Sequence, residues 1–235
     1  MPIKKAGLLK TTLIDYPGKI ASSIFLPGCN MRCPYCHNRD LVLNRDKTLV
    51  DIDEILAFLS KRKNILQGVC ISGGEPLIHE DLPALAGKLR ALGLKIKLDT
   101  NGLLPERIFA VEPDYIAMDI KTSPSKYCLL AGSETGSLSE SDYNSVLRES
   151  VTAIIKSGIE HEFRTTLVPG IVTLEDMAEI ADIAKGCMKY TLNKFVPENT
   201  IDENYRRLTP YSEESYNELS QQLEKKGIKA VFRGF

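Results

Sequence analysis

The chain has no excess of charge of either sign. Its 30 Lys and Arg stand against 31 Asp and Glu for a net charge of -1, so the overall balance argues neither for nucleic acid nor for an anionic membrane surface. It has no apolar run approaching the roughly 20 residues needed to span a bilayer, and no apolar stretch of signal length follows Met1-Pro2-Ile3-Lys4-Lys5. A cytoplasmic location is the expectation. There is no internal repeat, no low-complexity stretch and no dividing linker, so a single domain over residues 1–235 is expected. Six cysteines in 235 residues are too sparse for a disulfide scaffold and suit metal ligation in a reduced compartment better. The 43% of apolar residues suffices for a sizeable core.

Three of the cysteines are grouped. Cys29, Cys33 and Cys36 stand in Gly28-Cys29-Asn30-Met31-Arg32-Cys33-Pro34-Tyr35-Cys36-His37-Asn38, while Cys70, Cys128 and Cys187 are isolated. A cubane iron–sulfur cluster is usually held by four thiolates. Three close thiolates with no local fourth therefore point to a cluster with one iron left open, on the logic by which catalytic metal sites keep a vacant position. The triplet alone also allows a zinc site that recruits His37 or a distant cysteine, or three thiols that share nothing.

Hydrophobic periodicity alternates between the two common repeats. Strands are expected at Lys19 to Leu26, Gly68 to Ser72, Lys95 to Asp99, Asp114 to Ile120, His161 to Leu167 and Tyr190 to Val196, with a terminal edge strand at Ile228 to Phe232. Between them, Ile52, Ile55, Leu56 and Leu59 mark a helix opened by Asp51 with Glu54 as a capping box. Further helical stripes are Leu82 to Leu92 before Gly93, Pro105 to Ala110, Tyr143 to Ile154, Met177 to Ala184 behind Thr173 and Asp176, and Ser212 to Lys226. This rhythm predicts an α/β fold, a partial (β/α)6 TIM-like barrel with parallel strands. Thr122 to Asp142, with Ser133-Glu134-Thr135-Gly136-Ser137, reads as the longest irregular segment.

Cys-x3-Cys-x-aromatic-Cys resembles the signature of the radical S-adenosylmethionine superfamily, and Cys36-His37-Asn38-Arg39-Asp40 is similar to its glycyl-radical-enzyme activases. Further matches are Gly73-Gly74-Glu75-Pro76, Asp99-Thr100-Asn101-Gly102, Asp119-Ile120-Lys121, and Arg164 before Val168-Pro169-Gly170. Each falls at or just beyond the C-terminal end of an expected strand, the face that carries active sites in barrel folds. Lys10 to Lys19, with Asp15-Tyr16-Pro17-Gly18, and Leu192-Asn193-Lys194-Phe195-Val196-Pro197 resemble a narrower group, the activating proteins of anaerobic ribonucleoside-triphosphate reductase. Pyruvate formate-lyase activating enzymes usually show glycine where Tyr16 stands.

The resemblance implies a radical SAM oxidoreductase with a [4Fe-4S] cluster on Cys29, Cys33 and Cys36. It would reductively cleave S-adenosyl-L-methionine to a 5′-deoxyadenosyl radical, which takes hydrogen from a glycine of the anaerobic reductase. The electron would come from a low-potential donor such as flavodoxin or ferredoxin, and no catalytic residue beyond cluster and cofactor site is implied. Tyr35 would lie beside the adenine, with His37 and Asn38 hydrogen-bonding cluster or cofactor. Gly73, Gly74, Glu75 and Pro76 would bind the methionyl ammonium, and Asp99, Thr100 and Asn101 the ribose. Lys121 and Arg164 would face the methionine carboxylate. Asp99, Thr100 and Asp119 would also hold a monovalent cation.

Read alone, several of these residues have plainer roles: Tyr35 as an aromatic wedge, Gly-Gly as an ordinary turn, Asp-Thr-Asn-Gly as a turn of turn formers, Lys121 and Arg164 as surface cations. Cys70 reads as a small buried residue, and His79 and His161 suggest no chemistry. The alternatives are an activase of another glycyl-radical enzyme such as pyruvate formate-lyase, a radical SAM enzyme acting on a small molecule, and a non-catalytic iron–sulfur electron-transfer protein.

Overall fold

The computed structural model describes residues 3–132 and 138–234. In chain order the elements are β1 (Lys5–Thr12), β2 (Ala21–Leu26), α1 (Arg39–Val42), β3 (Val50–Asp51), α2 (Ile52–Arg62), β4 (Gly68–Gly73), α3 (Leu82–Ala91), β5 (Lys95–Thr100) and α4 (Pro105–Ile108). They continue with β6 (Tyr115–Asp119), α5 (Glu140–Ser157), β7 (Glu160–Leu167), α6 (Leu174–Ile183), β8 (Tyr190–Lys194), α7 (Glu213–Glu224) and β9 (Ala230–Arg233). No helix among the described residues is long and apolar enough to cross a membrane.

The chain forms two compact units. The first comprises Met1–Cys29, Asp40–Thr100 and Glu106–Ile116. Its strands run in the order β3-β1-β2-β4-β5. The β2-β4 and β4-β5 pairs are parallel, with Ala21 opposite Gly68 and Gly68 opposite Lys95, while β1 pairs antiparallel with both β2 and β3. Ile24, Leu26, Val69, Ile71, Ile96 and Leu98 are buried, as strands covered on both faces require. Gly68 makes room for a large neighbour, because a Cβ there would fall 2.9 Å from the Tyr16 ring. Tyr16 is accordingly 1% exposed and packs beside Tyr115, ring centroids 6.0 Å apart, while Asp15 accepts a hydrogen bond from Ser23 at 2.5 Å.

The second unit comprises Asn30–Arg39, Asn101–Pro105 and Ala117–Phe235. In it β7, β8 and β9 are parallel neighbours. Its helices start where the chain supplies the chemistry: Ser139 with Asp142 and Thr173 with Asp176 form complete capping boxes, and the Ser212 side chain accepts from Ser215 N–H. Gly158, at φ 69°, ends α5 in the left-handed conformation that glycine adopts without steric cost. The core holds Tyr127, Tyr143, Leu147, Phe163, Tyr190 and Phe195.

Two expectations are corrected, and one strand is added to those expected. Asp51 makes no side-chain cap to α2, because it ends β3 opposite Lys5 and its carboxylate faces that lysine at 4.0 Å. The opening segment is a full strand, β1, that alternation did not reveal because much of it is exposed. The segment after Lys121 is not irregular throughout: Pro124–Leu130 forms 3₁₀ turns that bury Pro124, Tyr127 and Leu130. Within the same expected loop, Ser133-Glu134-Thr135-Gly136-Ser137 lies outside the described residues.

Candidate active site

Two glycines shape the loop that follows β4 in the first unit. At Gly73, φ 120°, a Cβ would fall 2.4 Å from Leu26 backbone, and at Gly74 it would fall 1.7 Å from the Gly28 carbonyl oxygen and 3.2 Å from Cys29 Cβ. The Gly-Gly backbone thus runs directly against the start of the cysteine loop, an approach only glycine permits. Gly74 N–H donates to Leu26 O at 2.9 Å and Glu75 N–H to Gly28 O at 3.0 Å, which fixes Cys29 to this loop.

Glu75 is fully buried and its Oε1 accepts from Leu77 N–H at 3.1 Å and Thr100 Oγ1 at 2.8 Å. It caps the turn that starts at Pro76 and ties it to the end of β5. Asp99 accepts from Ser72 Oγ at 3.3 Å and forms an ion pair with Lys97, which lies two residues earlier on the same face of β5. The Lys97 ammonium also lies 3.7 Å from Cys70 Sγ.

In the second unit the cysteine loop is a tight turn, Cys36 N–H donating to Cys33 O at 3.0 Å. Cys33 and Tyr35 are 7% and 6% exposed. Burial pushes the Cys33 thiol up to about 11 and also raises that of Cys36, against the lowering influence of Lys121 and, for Cys36, of a hydrogen bond from Asn38 backbone. The loop is braced from two sides. Met31 bridges to Ala131 and Arg32 N–H donates to Leu130 O at 2.9 Å; Asp202 N–H donates to Pro34 O at 2.9 Å. His37 meets Glu198 O through Nδ1 at 3.0 Å, and the Asn199 amide donates to His37 O at 3.0 Å. Asn101 donates to Asn30 Oδ1 at 2.7 Å, so the Asp-Thr-Asn-Gly turn also holds the loop.

Beside these thiols lies a charged triad. Asp119, at the end of β6, accepts from Arg164 Nε at 2.7 Å and from Lys121 Nζ at 3.2 Å. Burial alone would raise the Asp119 carboxyl, but the charges of Arg164 and Lys121 prevail and hold it well below the usual carboxylate range. Reciprocally, burial would lower Lys121, yet Asp119 keeps it well above the ordinary lysine range. Two cations face one carboxylate, so the triad carries a net positive charge, which favours an anion.

Cys29, Cys33 and Cys36 are all free thiols, Cys33 buried and the other two partly exposed, and soft thiols are the donor set that an iron–sulfur cluster takes. Among the described residues no group of three or more His, Cys, Asp and Glu is arranged to hold a single metal ion. A cubane asks for a different arrangement, with one thiolate on each of several irons.

Sequence reading did not single out Lys97, Asn30, Tyr127 or Glu198. The signal was available for Lys97, whose spacing of two from Asp99 on a strand places both on one face. Tyr127, whose hydroxyl accepts from Lys121 N–H at 3.0 Å, and Glu198 carry no local signal, because their contacts are made across the fold. His79 and His161 meet the backbone: His79 Nε2 lies 2.9 Å from Pro27 O, and His161 lies between Ile159 O at 2.8 Å and Met188 N–H at 3.2 Å.

Comparison with known proteins follows the same lines. The sequence profile of the Radical SAM superfamily matches residues 23–184. A protein of Methanocaldococcus jannaschii, provisionally named a glycyl-radical enzyme activating enzyme, is 34% identical over 96% of this chain and 93% of its own length. The pyruvate formate-lyase-activating enzyme of Streptococcus mutans is 28% identical over 85% of this chain and 80% of its own. Among solved structures, a radical SAM methyltransferase from Sphaerobacter thermophilus superposes with a TM-score of 0.66 at 18% identity, covering 93% of this chain and 67% of that one. The mostly parallel α/β arrangement is thus the radical SAM fold. The chain belongs to the radical SAM superfamily, whose members use a [4Fe-4S] cluster and S-adenosylmethionine, and is an enzyme homologous to glycyl-radical enzyme activating enzymes.

Proposed function

We propose that this radical SAM enzyme activates anaerobic ribonucleoside-triphosphate reductase by removing a hydrogen atom from a glycine Cα of that partner. Cys29, Cys33 and Cys36 would hold the [4Fe-4S] cluster, which together with S-adenosylmethionine supplies, when bound, the radical that takes the hydrogen atom. The chain's own residues bind, orient and enclose. Gly73 and Gly74 would bring their backbone to the methionyl ammonium, and Asp99, Thr100 and Asn101 suit the ribose hydroxyls. Arg164 and Lys121 offer their surplus charge to the methionine carboxylate, and Tyr35, His37 and Asn38 line the cysteine loop. A monovalent cation at Asp99, Thr100 and Asp119 belongs to the same proposal.

One observation carries the reading. Lys121 lies within electrostatic reach of both Cys33 and Cys36 and also pairs with Asp119, itself paired with Arg164. The closeness of the Cys33 and Cys36 thiols to the Asp119, Lys121 and Arg164 charges in the second unit supports binding of an amino-acid carboxylate beside a cluster. The choice of the reductase as partner is supported by the opening segment around Tyr16 and by Leu192 to Pro197. The electron donor is a flavodoxin or ferredoxin, and the cytoplasm is the compartment that keeps such thiols reduced.

The reductase of the same organism, prepared with glycine deuterated at Cα, tests this. Incubated anaerobically with the reduced enzyme and S-adenosylmethionine, it should pass deuterium into 5′-deoxyadenosine, read by mass spectrometry. Transfer from a labelled pyruvate formate-lyase instead would redirect the assignment within the activases. Unlabelled 5′-deoxyadenosine in both arms would oppose an activase role.

A further inference from the structure

Lys97 is a buried charge for which the proposed cofactor site has not yet given a reason. It stands inside β5 between Ile96 and Leu98, both fully buried, and its own side chain is 2% exposed. An ammonium withdrawn from water is costly unless it is paired, and apolar side chains of similar volume often serve a fold as well as a buried ion pair or better. Strand packing alone therefore does not call for a lysine here.

The partners of the ammonium show what it acts on. Among the described residues it meets one carboxylate, that of Asp99, and donates a hydrogen bond to Asp99 Oδ1. Its other neighbours are Cys70 Sγ at 3.7 Å, directly opposite on β4, and the Tyr115 ring, whose centroid lies 5.9 Å away. The other carboxylate oxygen, Asp99 Oδ2, accepts from Ser72 Oγ at 3.3 Å. Ser72 follows Cys70 by two residues on β4 as Asp99 follows Lys97 on β5, so the four side chains share one face of this strand pair. Both oxygens of Asp99 are thus held from within the sheet.

The two ends of the ion pair differ in access. The Asp99 side chain is 15% exposed where that of Lys97 is 2%. A ligand at the C-terminal end of β5 can reach the carboxylate and cannot reach the ammonium behind it.

We infer that Lys97 is a positioning residue, whose ammonium fixes the Asp99 carboxylate from behind so that it is aimed at the ribose hydroxyls of S-adenosylmethionine. Lys97 touches no cofactor atom. The inference rests on the assignment of Asp99 to the ribose and adds the residue through which that carboxylate is held.

Isothermal titration of S-adenosylmethionine into the cluster-loaded protein tests it in a double-substitution cycle of Lys97→Met and Asp99→Asn. Each single substitution should weaken binding about tenfold with bound iron unchanged. Because Lys97 acts through Asp99, the Lys97→Met/Asp99→Asn protein should bind no more weakly than Asp99→Asn alone. The cofactor analogue that lacks both ribose hydroxyls should bind wild type and Lys97→Met equally. Unchanged affinity in Lys97→Met, losses that multiply in the double variant, or an equal loss with the analogue would each overturn the inference. Should Lys97→Met not fold, the double variant, in which neither charge is left alone, still gives the comparison with Asp99→Asn. Unchanged affinity in Asp99→Asn would remove that residue from the ribose and the inference with it, whereas a wild type that does not bind S-adenosylmethionine would overturn the proposed function itself.

Discussion

Arg164 and Asp119 are joined at 2.7 Å from β7 to the end of β6, and Lys121 meets the same carboxylate at 3.2 Å. The aspartate neutralises one cation and orients both, so the site presents a fixed, preorganised positive charge rather than two loose side chains. Strand-to-strand connections reinforce that geometry. Ile120 N–H donates to Arg164 O at 2.9 Å, and Thr165 Oγ1 to Ile120 O at 2.6 Å.

On the proposed reading, the triad would govern cofactor affinity. A charged hydrogen bond is typically worth about 1.5–3 kcal/mol, so Arg164→Ala should weaken S-adenosylmethionine binding by roughly tenfold or more. Asp119→Asn should also weaken it, through the lost orientation of Arg164 and Lys121. Isothermal titration of the holoprotein reads both, with the cluster absorbance as a control. Unchanged affinity in both variants would remove these residues from the cofactor site.

Cysteine replacement separates ligands from bystanders. Cys29→Ala, Cys33→Ala and Cys36→Ala should each lose the cluster after anaerobic reconstitution, measured as bound iron and sulfide. Cys70→Ala, Cys128→Ala and Cys187→Ala should retain it. A fully loaded Cys33→Ala protein would defeat the ligand assignment.

Two glycines should respond oppositely to alanine. Gly74→Ala puts a Cβ 1.7 Å from the Gly28 carbonyl oxygen, a backbone collision that no side-chain rotation relieves, and should cost about 2 kcal/mol or more. Gly87, inside α3, has nothing within 4 Å of its added Cβ, so Gly87→Ala should stabilise by up to about 1 kcal/mol through helix propensity. Urea midpoints compare them directly, and a Gly74→Ala protein as stable as wild type would refute the packing described.

These contrasts show what the sequence made legible. Helices α6 and α7 declare themselves by Thr173 and Ser212 followed by regular apolar stripes, whereas the Ser139 cap of α5 lay inside the stretch read as irregular, and the cysteine triplet took its cluster reading from the family resemblance rather than from spacing alone. β1 was hidden because Leu9, Lys10 and Thr11 are exposed and break the alternation. The Asp51 capping signal misled because a strand partner, Lys5, competes for that carboxylate. The burial of Tyr16 had no local signal, because it is the missing side chain of Gly68, 52 residues away in sequence, that admits the ring to the core. The hydrogen bond from Thr100 to Glu75 was equally illegible, because it comes from another strand.

Asp176 offers a pH test of stability. It is 3% exposed, and although burial acts to raise its carboxyl, Lys126, Ser123 and Thr173 hold it below the usual carboxylate value. A lowered folded-state value means that the stabilisation is fully present above the unfolded value, near pH 3.9, and is lost as pH falls through the folded one. Asp176→Ala should therefore cost about 1–3 kcal/mol at pH 7 and pH 5 alike, through the lost cap and ion pair. The gap to wild type should narrow below about pH 4. Urea titrations of cluster-free protein across that range measure it, and a gap that widens on acidification would contradict the charge assignment.

Electron paramagnetic resonance tests the central claim most directly. The anaerobically reduced enzyme, mixed with S-adenosylmethionine and the anaerobic ribonucleoside-triphosphate reductase of its own organism, should generate a carbon-centred doublet split by the glycine α-hydrogen. That splitting should disappear when the reductase carries glycine deuterated at Cα. A silent reductase, in a sample where the same enzyme consumes S-adenosylmethionine against a small molecule or another protein, would contradict the account of the partner.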